Sequence, residues 1–251
     1  MTVEQLVDIL DERIPKALSE PWDNDGTDVI PDKNATVTRA LCALDCTSEA
    51  IEAAKKNGCN LIITHHPLIF KPLGAITADE SVGKRVIECI RSGIAVVSFH
   101  TRLDIIEGGV NDVLASLIGV ENTESFIPYG RIGDVDEQSF EDYAMLIATK
   151  LGLDLCKLGL VKASESVKRV ALVSGSGKDE IGAAIAAGAD TFVTGEVMHN
   201  HMIECKEMGL NLICGTHYAT ERIIVPVLAD IVREYVKADV FEFVREHEYG
   251  I

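Results

Sequence analysis

Aromatic side chains make up only 5% of this 251-residue chain, and there is a single tryptophan. The apolar content is mostly Ala, Val, Ile and Leu, a mix that suits buried parallel strands under helices better than an antiparallel sandwich. Positive charge is scarce as well. Against 40 Asp and Glu stand 23 Lys and Arg, a formal net charge of −17. A surface of that sign repels polyphosphate backbones, and no basic run is longer than Lys55-Lys56, which argues against nucleic-acid binding. Small anionic substrates stay open, because bound metal cations invert the local field. No apolar run approaches the roughly 20 residues that a membrane-spanning helix needs. The first ten residues carry acids early and lack the basic start and apolar core of a signal peptide. Cysteines are present without a pattern, at positions 42, 46, 59, 89, 156, 205 and 214. Cys42 and Cys46 have no second pair to complete a zinc knuckle, so the seven read as buried free thiols. Reduced cysteines predict a cytoplasmic protein.

What is present is alternation. With 47% hydrophobic residues the chain can bury a real core. An amphipathic helix is expected over about 3–19, ended by Pro21-Trp22, with a turn through Gly26. Strands are expected near 37–44, 60–64 and 94–99, with helices near 47–57, 80–92 and 109–118. Residues 121–166 look less regular, with one helix near 139–151 and an acid-rich solvated loop and helix start over 134–142. Alternation resumes with strands near 168–174, 190–194, 210–214 and 239–244 and helices near 178–187, 199–208 and 219–235. Such β-α-β units predict an α/β fold with mainly parallel sheets flanked by helices.

The two halves read as weak copies. Gly58 leads through the strand ending at Thr64 to His65 and His66, as Gly188 leads through the strand ending at Thr194 to Gly195 and Glu196. Gly93 leads to His100 and Asp104, and Gly209 to His217 and Glu221, at nearly equal offsets. The predicted organisation is therefore two pseudo-repeated α/β halves, 1–125 and 126–251, interlocked as one unit.

Open α/β sheets collect ligands at the carboxyl ends of their strands. Four polar clusters fall there: Thr64-His65-His66-Pro67, His100-Thr101-Arg102-Leu103-Asp104, Gly195-Glu196 with His199 and His201, and His217 through Glu221. His217 and Glu221 are an i, i+4 pair and share one helix face. Three histidines with Asp104 and Glu221 can hold two divalent ions and leave positions for water. Ser174-Gly175-Ser176-Gly177-Lys178 is no P-loop, since Leu172 stands where the first glycine is required. It reads as a tight strand-to-helix turn whose amides offer an anion site. His247, between two glutamates, reads as a solvated residue.

The runs Thr64-His65-His66-Pro67-Leu68-Ile69-Phe70, His100-Thr101-x-Leu103-Asp104, Thr194-Gly195-Glu196 and His217-Tyr218-x-Thr220-Glu221 resemble the Nif-three-like dinuclear metal proteins, also called GTP cyclohydrolase I type 2 homologues. Trp22-Asp23-Asn24-x-Gly26 and Ala43-Leu44-Asp45-Cys46-Thr47 extend the likeness over nearly the whole chain. The resemblance implies metal ligands His65, His66, Asp104, His217 and Glu221, two divalent ions (Zn, Fe, Mn or Ni), and often a homohexameric ring. It implies a metal-dependent hydrolase that opens the imidazole ring of GTP; for a metal-activated water a phosphoester or cyclic amide is chemically as suitable a substrate. The alternative is a non-enzymatic metal-binding, metal-delivery or scaffold protein. Glu196 is the expected general base or substrate contact, with Glu221 also at the reacting centre. His100, Arg102 and His199 are expected in the pocket, where Arg102, which replaces the family's usual Asn, adds an anion-binding group.

Overall fold

The computed structural model describes residues 1–245; His247 lies outside them. The chain begins with α1 (Val3–Arg13), β1 (Gly26–Val29), β2 (Arg39–Ala43), α2 (Ser48–Asn57), β3 (Leu61–Thr64), α3 (Ser81–Ser92), β4 (Ala95–Ser98) and α4 (Thr101–Ile105). It continues through α5 (Val110–Leu117), β5 (Glu121–Ile127), β6 (Gly130–Ser139), α6 (Phe140–Leu151), β7 (Gly159–Val161) and β8 (Ser166–Ser176). The last part holds α7 (Ile181–Ala186), β9 (Thr191–Glu196), α8 (His199–Glu207), β10 (Asn211–Cys214), α9 (His217–Glu221), α10 (Ile224–Tyr235) and β11 (Asp239–Phe243).

These elements form two compact units. One comprises Met1–Leu103 together with Ile224–Arg245, the other Asp104–Ile223. The division differs from a cut at 125/126. The chain leaves the first unit inside α4 and returns to it at α10, because β11 pairs in parallel with β2 from Asp239↔Arg39 to Phe243↔Ala43.

The first unit has a five-stranded sheet in the order β1-β4-β3-β2-β11. Every residue of β3 and β4 is buried, as continuous apolar strands covered on both faces must be. Leu41, Ala43, Ile62 and Val96 pack with Ala50, Ile51 and Ala54 of α2 and Val86 and Cys89 of α3. Helix α1 opens with a reciprocal Thr2–Gln5 capping box. It stops at Arg13, well short of residue 19, because Pro15 disfavours helical backbone at the residue before it. Ile14 accordingly takes φ −125°, ψ 80°, and only a short 3₁₀ turn, Lys16–Leu18, follows.

The second unit has a six-stranded sheet in the order β5-β6-β8-β9-β10-β7. Its two faces can be read from strand alternation. Val170, Leu172, Val193 and Ile213 pack with Tyr143, Ile147 and Leu151 of α6. The intervening Ala171, Val173, Phe192 and Leu212 pack with Ile181 and Ala184 of α7 and Cys205 of α8.

The repeat is topological. In the first unit β2, β3 and β4 run parallel, and β1, which precedes them, pairs antiparallel with β4. In the second, β8, β9 and β10 run parallel, and β7, which precedes them, pairs antiparallel with β10. The second sheet is then extended by the antiparallel β5-β6 hairpin. The acid-rich stretch expected as a loop and helix start is the end of this hairpin and the start of α6. Asp134, Asp136 and Glu137 sit on exposed positions of β6, and Asp134 pairs with Arg169, as does Glu124 of β5.

All seven cysteines are free and six are buried. Burial pushes the thiols of Cys59, Cys205 and Cys214 up to about 11, which keeps them protonated and inert. No helix of the described residues is long and apolar enough to cross a membrane.

Candidate metal centre

In the first unit, the ends of β3 and β4 bring three imidazoles together. His65 and His66 follow β3 in a bend, their amides on the carbonyls of Ala43 and Leu44, and the bend lets two side chains that would diverge in a strand converge. His100 follows β4, its amide on Asp25 Oδ2 at 3.2 Å. One ligand atom from each of His65, His66 and His100 lies within 4.8 Å of the others, and the ring centroids are 4.9–5.5 Å apart.

Each ring is oriented through its Nδ1. His65 Nδ1 donates to the Phe99 carbonyl at 3.0 Å, His66 Nδ1 meets Asp45 Oδ1 at 2.8 Å, and His100 Nδ1 meets Asp23 Oδ1 at 2.9 Å. A carbonyl or carboxylate only accepts, so Nδ1 carries the proton and Nε2 is the atom of each ring that could bind a metal. Burial alone would raise Asp23, but hydrogen bonds from His100 and Thr101 hold it down at about 2. It is therefore an anion at any ordinary pH.

Arg102 lies elsewhere. Its side chain is completely buried, with Nε on Asp25 Oδ2 at 2.7 Å, Nη1 on Asp11 Oδ1 at 2.6 Å and on the Ile14 carbonyl at 2.8 Å. Its guanidinium carbon sits 4.4 Å from the Phe99 ring centroid. The residue expected to bind an anion in an open pocket is an interior tether from α1 to α4, satisfied by the protein's own carboxylates.

In the second unit, α9 carries His217 and Glu221 on one face. Thr216 caps the helix by accepting from the Ala219 amide. His217 Nε2 lies 3.0 Å from Glu221 Oε2, and its Nδ1 lies 3.1 Å from Glu196 Oε1 at the end of β9. Glu221 is almost wholly buried, whereas Glu196 is more than half exposed. Glu196 thus orients His217 from the solvent side, as Asp45 and Asp23 orient His66 and His100. Two glycines let the backbone approach this pair. A Cβ on Gly175, whose φ is +60°, would fall 2.1 Å from Glu221 Oε1, and one on Gly195 would fall 2.5 Å from the Gly175 carbonyl and 2.9 Å from His217 Cα.

Three amides of the glycine-rich turn are already engaged within the fold. The amides of Ser174, Gly175 and Gly177 donate to Asn111 Oδ1, Thr220 Oγ1 and Thr194 Oγ1. Asp104, half-buried on α4, has its carbonyl 3.5 Å from Asn111 Nδ2. His199 is exposed at the start of α8, and His201 accepts the Met198 amide through Nδ1. Asp23 and Asp45 stand in the sequence only as members of the runs Trp22-Asp23-Asn24 and Ala43-Leu44-Asp45, and their role is hidden there because they lie 77 and 21 residues from the rings they hold. The need of an imidazole for a second partner is the chemical signal for them.

The Duf34/NIF3 (NGG1p interacting factor 3) family model matches residues 1–248. A Clostridium perfringens relative named GTP cyclohydrolase 1 type 2 homolog is 33% identical over 257 residues, 99% of this chain and 97% of the relative. A Helicobacter pylori relative named GTP cyclohydrolase 1 type 2 is 30% identical, with 93% and 92% covered. A Staphylococcus aureus crystal structure superposes with TM-score 0.91 at 28% identity, covering 99% of this chain and 98% of that one. A Bacillus cereus protein related to NIF3 superposes with TM-score 0.93 at 22% identity, covering 100% and 99%, and supports the fold. With a family model spanning all described residues and relatives aligned end to end, the chain belongs to the Duf34/NIF3 family.

Proposed function

We propose that this protein is a cytoplasmic metal-dependent hydrolase that binds two divalent ions (Zn, Fe, Mn or Ni) through His65, His66, Asp104, His217 and Glu221. GTP, opened at its imidazole ring, is the leading substrate, after the names its relatives carry. The observation that carries the reading is the orientation of His65 and His66, whose Nδ1 atoms are engaged by the Phe99 carbonyl and by Asp45, with His100 held the same way beside them as a pocket residue. Such a donor set fits first-row divalent ions, and the clamped Nδ1 atoms are the supporting contacts that metal-binding histidines need. His217 and Glu221 contribute an imidazole and a carboxylate already 3.0 Å apart.

When bound, the ions supply the Lewis acidity that activates water and polarises the bond to be cut. The chain's own groups do the rest. Asp23, Asp45 and the Phe99 carbonyl keep the three rings of the first unit in one tautomer. Glu196 holds the Nδ1 proton of His217 and, being exposed, exchanges protons with solvent as the general base or acid. Buried Glu221 offers its carboxylate where competing water is scarce. A small-molecule substrate and a homohexameric assembly belong to the same reading.

Metal analysis of the purified protein with nucleotide turnover tests it. Two ions per chain, GTP hydrolysis, and loss of both in His66→Ala and Glu221→Ala are expected. Fewer than two ions in protein purified without chelators and re-loaded overturns the metal assignment. Full loading with no turnover of GTP, phosphoesters or cyclic amides favours the non-enzymatic alternative of metal storage or delivery.

A further inference from the structure

The only tryptophan of the chain, Trp22, is 62% exposed, and Phe70 is 46% exposed. A large ring left in water forgoes the stabilisation that burying it would give, and a rigidly held loop keeps it there. The Trp22 loop is so held. The Asp23 carboxylate takes His100 Nδ1 at 2.9 Å, the Thr101 amide at 3.1 Å and Thr101 Oγ1 at 2.7 Å. Next to it, the Glu20 amide donates to Thr101 Oγ1 at 3.0 Å and Asn24 Nδ2 to the Ile69 carbonyl at 2.5 Å.

The rings form a three-sided corner. Trp22 and Phe70 lie 6.1 Å apart at 75°, Trp22 and His100 6.2 Å apart at 78°, and Phe70 and His100 6.0 Å apart at 86°. All three contacts are edge-to-face, so none of the described ring contacts of Trp22 is a flat stack. His100 belongs at the same time to the imidazole cluster, 5.2 Å from His65 and 5.5 Å from His66. A planar ring laid on Trp22 or Phe70 is thereby one side chain away from the metal-binding atoms.

We infer that the Trp22–Phe70 corner is the binding subsite for the planar heteroaromatic ring of the substrate, a purine-type base stacked on the indole with its imidazole edge toward His100. This rests on the proposed function for its choice of a guanine ring as ligand. A stacked base suits the corner better than a charged partner would, because the exposed faces are aromatic and the rigid loop loses little freedom on binding.

Trp22 is its own reporter, since no second tryptophan obscures it. Emission is followed while the metal-loaded protein, its metal content measured, is titrated with guanosine, GTP and inorganic triphosphate, the assembly state being followed by light scattering. Saturable quenching by guanosine and GTP, none by triphosphate, and about 10- to 100-fold weaker binding in Phe70→Leu and, by calorimetry, Trp22→Leu are expected. In turnover assays Trp22→Leu raises KM while Trp22→Phe, which keeps a ring, restores most of it. Quenching by triphosphate alone, or emission that changes only with protein concentration as copies associate over the rings, overturns the inference. GTP turnover with an unchanged KM in Trp22→Leu overturns it while leaving the hydrolase reading intact. Quenching by guanosine without any turnover leaves the subsite standing and removes the hydrolase.

Discussion

The two units build their sites on the same frame with opposite materials. In each, a five-residue helix follows the third parallel strand, α4 after β4 and α9 after β10. In each, an imidazole follows that strand with a carboxylate four residues on, His217 before Glu221 and His100 before Asp104, the chain having passed into the second unit by Asp104. The first unit secures its helix with charge, through buried Arg102 bonded to Asp25 and Asp11. The second secures its helix by close approach, with Gly175 and Gly195 against Glu221, Thr220 and His217. A repeated topology therefore specifies where ligands emerge, while the means of holding them diverges freely. The repeat also explains why His100, read as a pocket residue, stands among the imidazoles: it occupies the place that His217 holds in the other unit.

This contrast is open to direct attack. The largest effect is expected from Arg102→Met, which leaves Asp25 buried beside one lysine. Removing one partner of a buried pair costs about 3–5 kcal/mol, read as a lower denaturation midpoint; a change below about 1 kcal/mol would mean that charge does not secure the first unit. Next comes Gly175→Ala. Its Cβ meets a carboxylate oxygen and its φ is left-handed, so a loss of about 1–3 kcal/mol is expected, together with weaker metal retention by Glu221. Unaltered stability and metal content would show that close approach is dispensable. Asp45→Ala removes the acceptor on His66 Nδ1 and should weaken metal binding about 10- to 100-fold with little change in fold, measured by competition with a chelator. Equal affinity in mutant and wild type would make Asp45 a bystander. Smallest are the helix caps Thr47→Ala in the first unit and Thr216→Ala in the second, each expected to cost about 1 kcal/mol in thermal unfolding. A much larger loss for Thr216 would show that α9 leans on its cap as well as on glycine.

Much of this was legible because parallel strands buried on both faces are continuous apolar words. Leu61-Ile62-Ile63 and Ala95-Val96-Val97 announce themselves, and the polar residues behind them mark the strand ends. The short antiparallel strands were not legible. β5 is exposed over most of its length, so no apolar alternation marks it, and β7 has only three residues. The break in α1 was misplaced because apolar periodicity outlasted the helix, while the determinant was one proline. Arg102 was misread for a related reason. Sequence shows a cation beside candidate ligands, but the carboxylates of Asp11 and Asp25 that draw it inward lie 91 and 77 residues away.

The return of the chain through α10 and β11 has a consequence for biosynthesis. Strand β2 finds its partner β11 about 200 residues later, whereas β6, β8, β9 and β10 find theirs within a stretch that emerges earlier from the ribosome. Local contacts form first and distant ones wait for the chain. The second unit is therefore complete while the first still lacks an edge. The open side of β2, a row of backbone donors and acceptors, stays unpaired until the final strand is made. Nascent chains stalled before residue 239 should expose that edge, and chaperone capture or aggregation during synthesis should concentrate on the unit that began first.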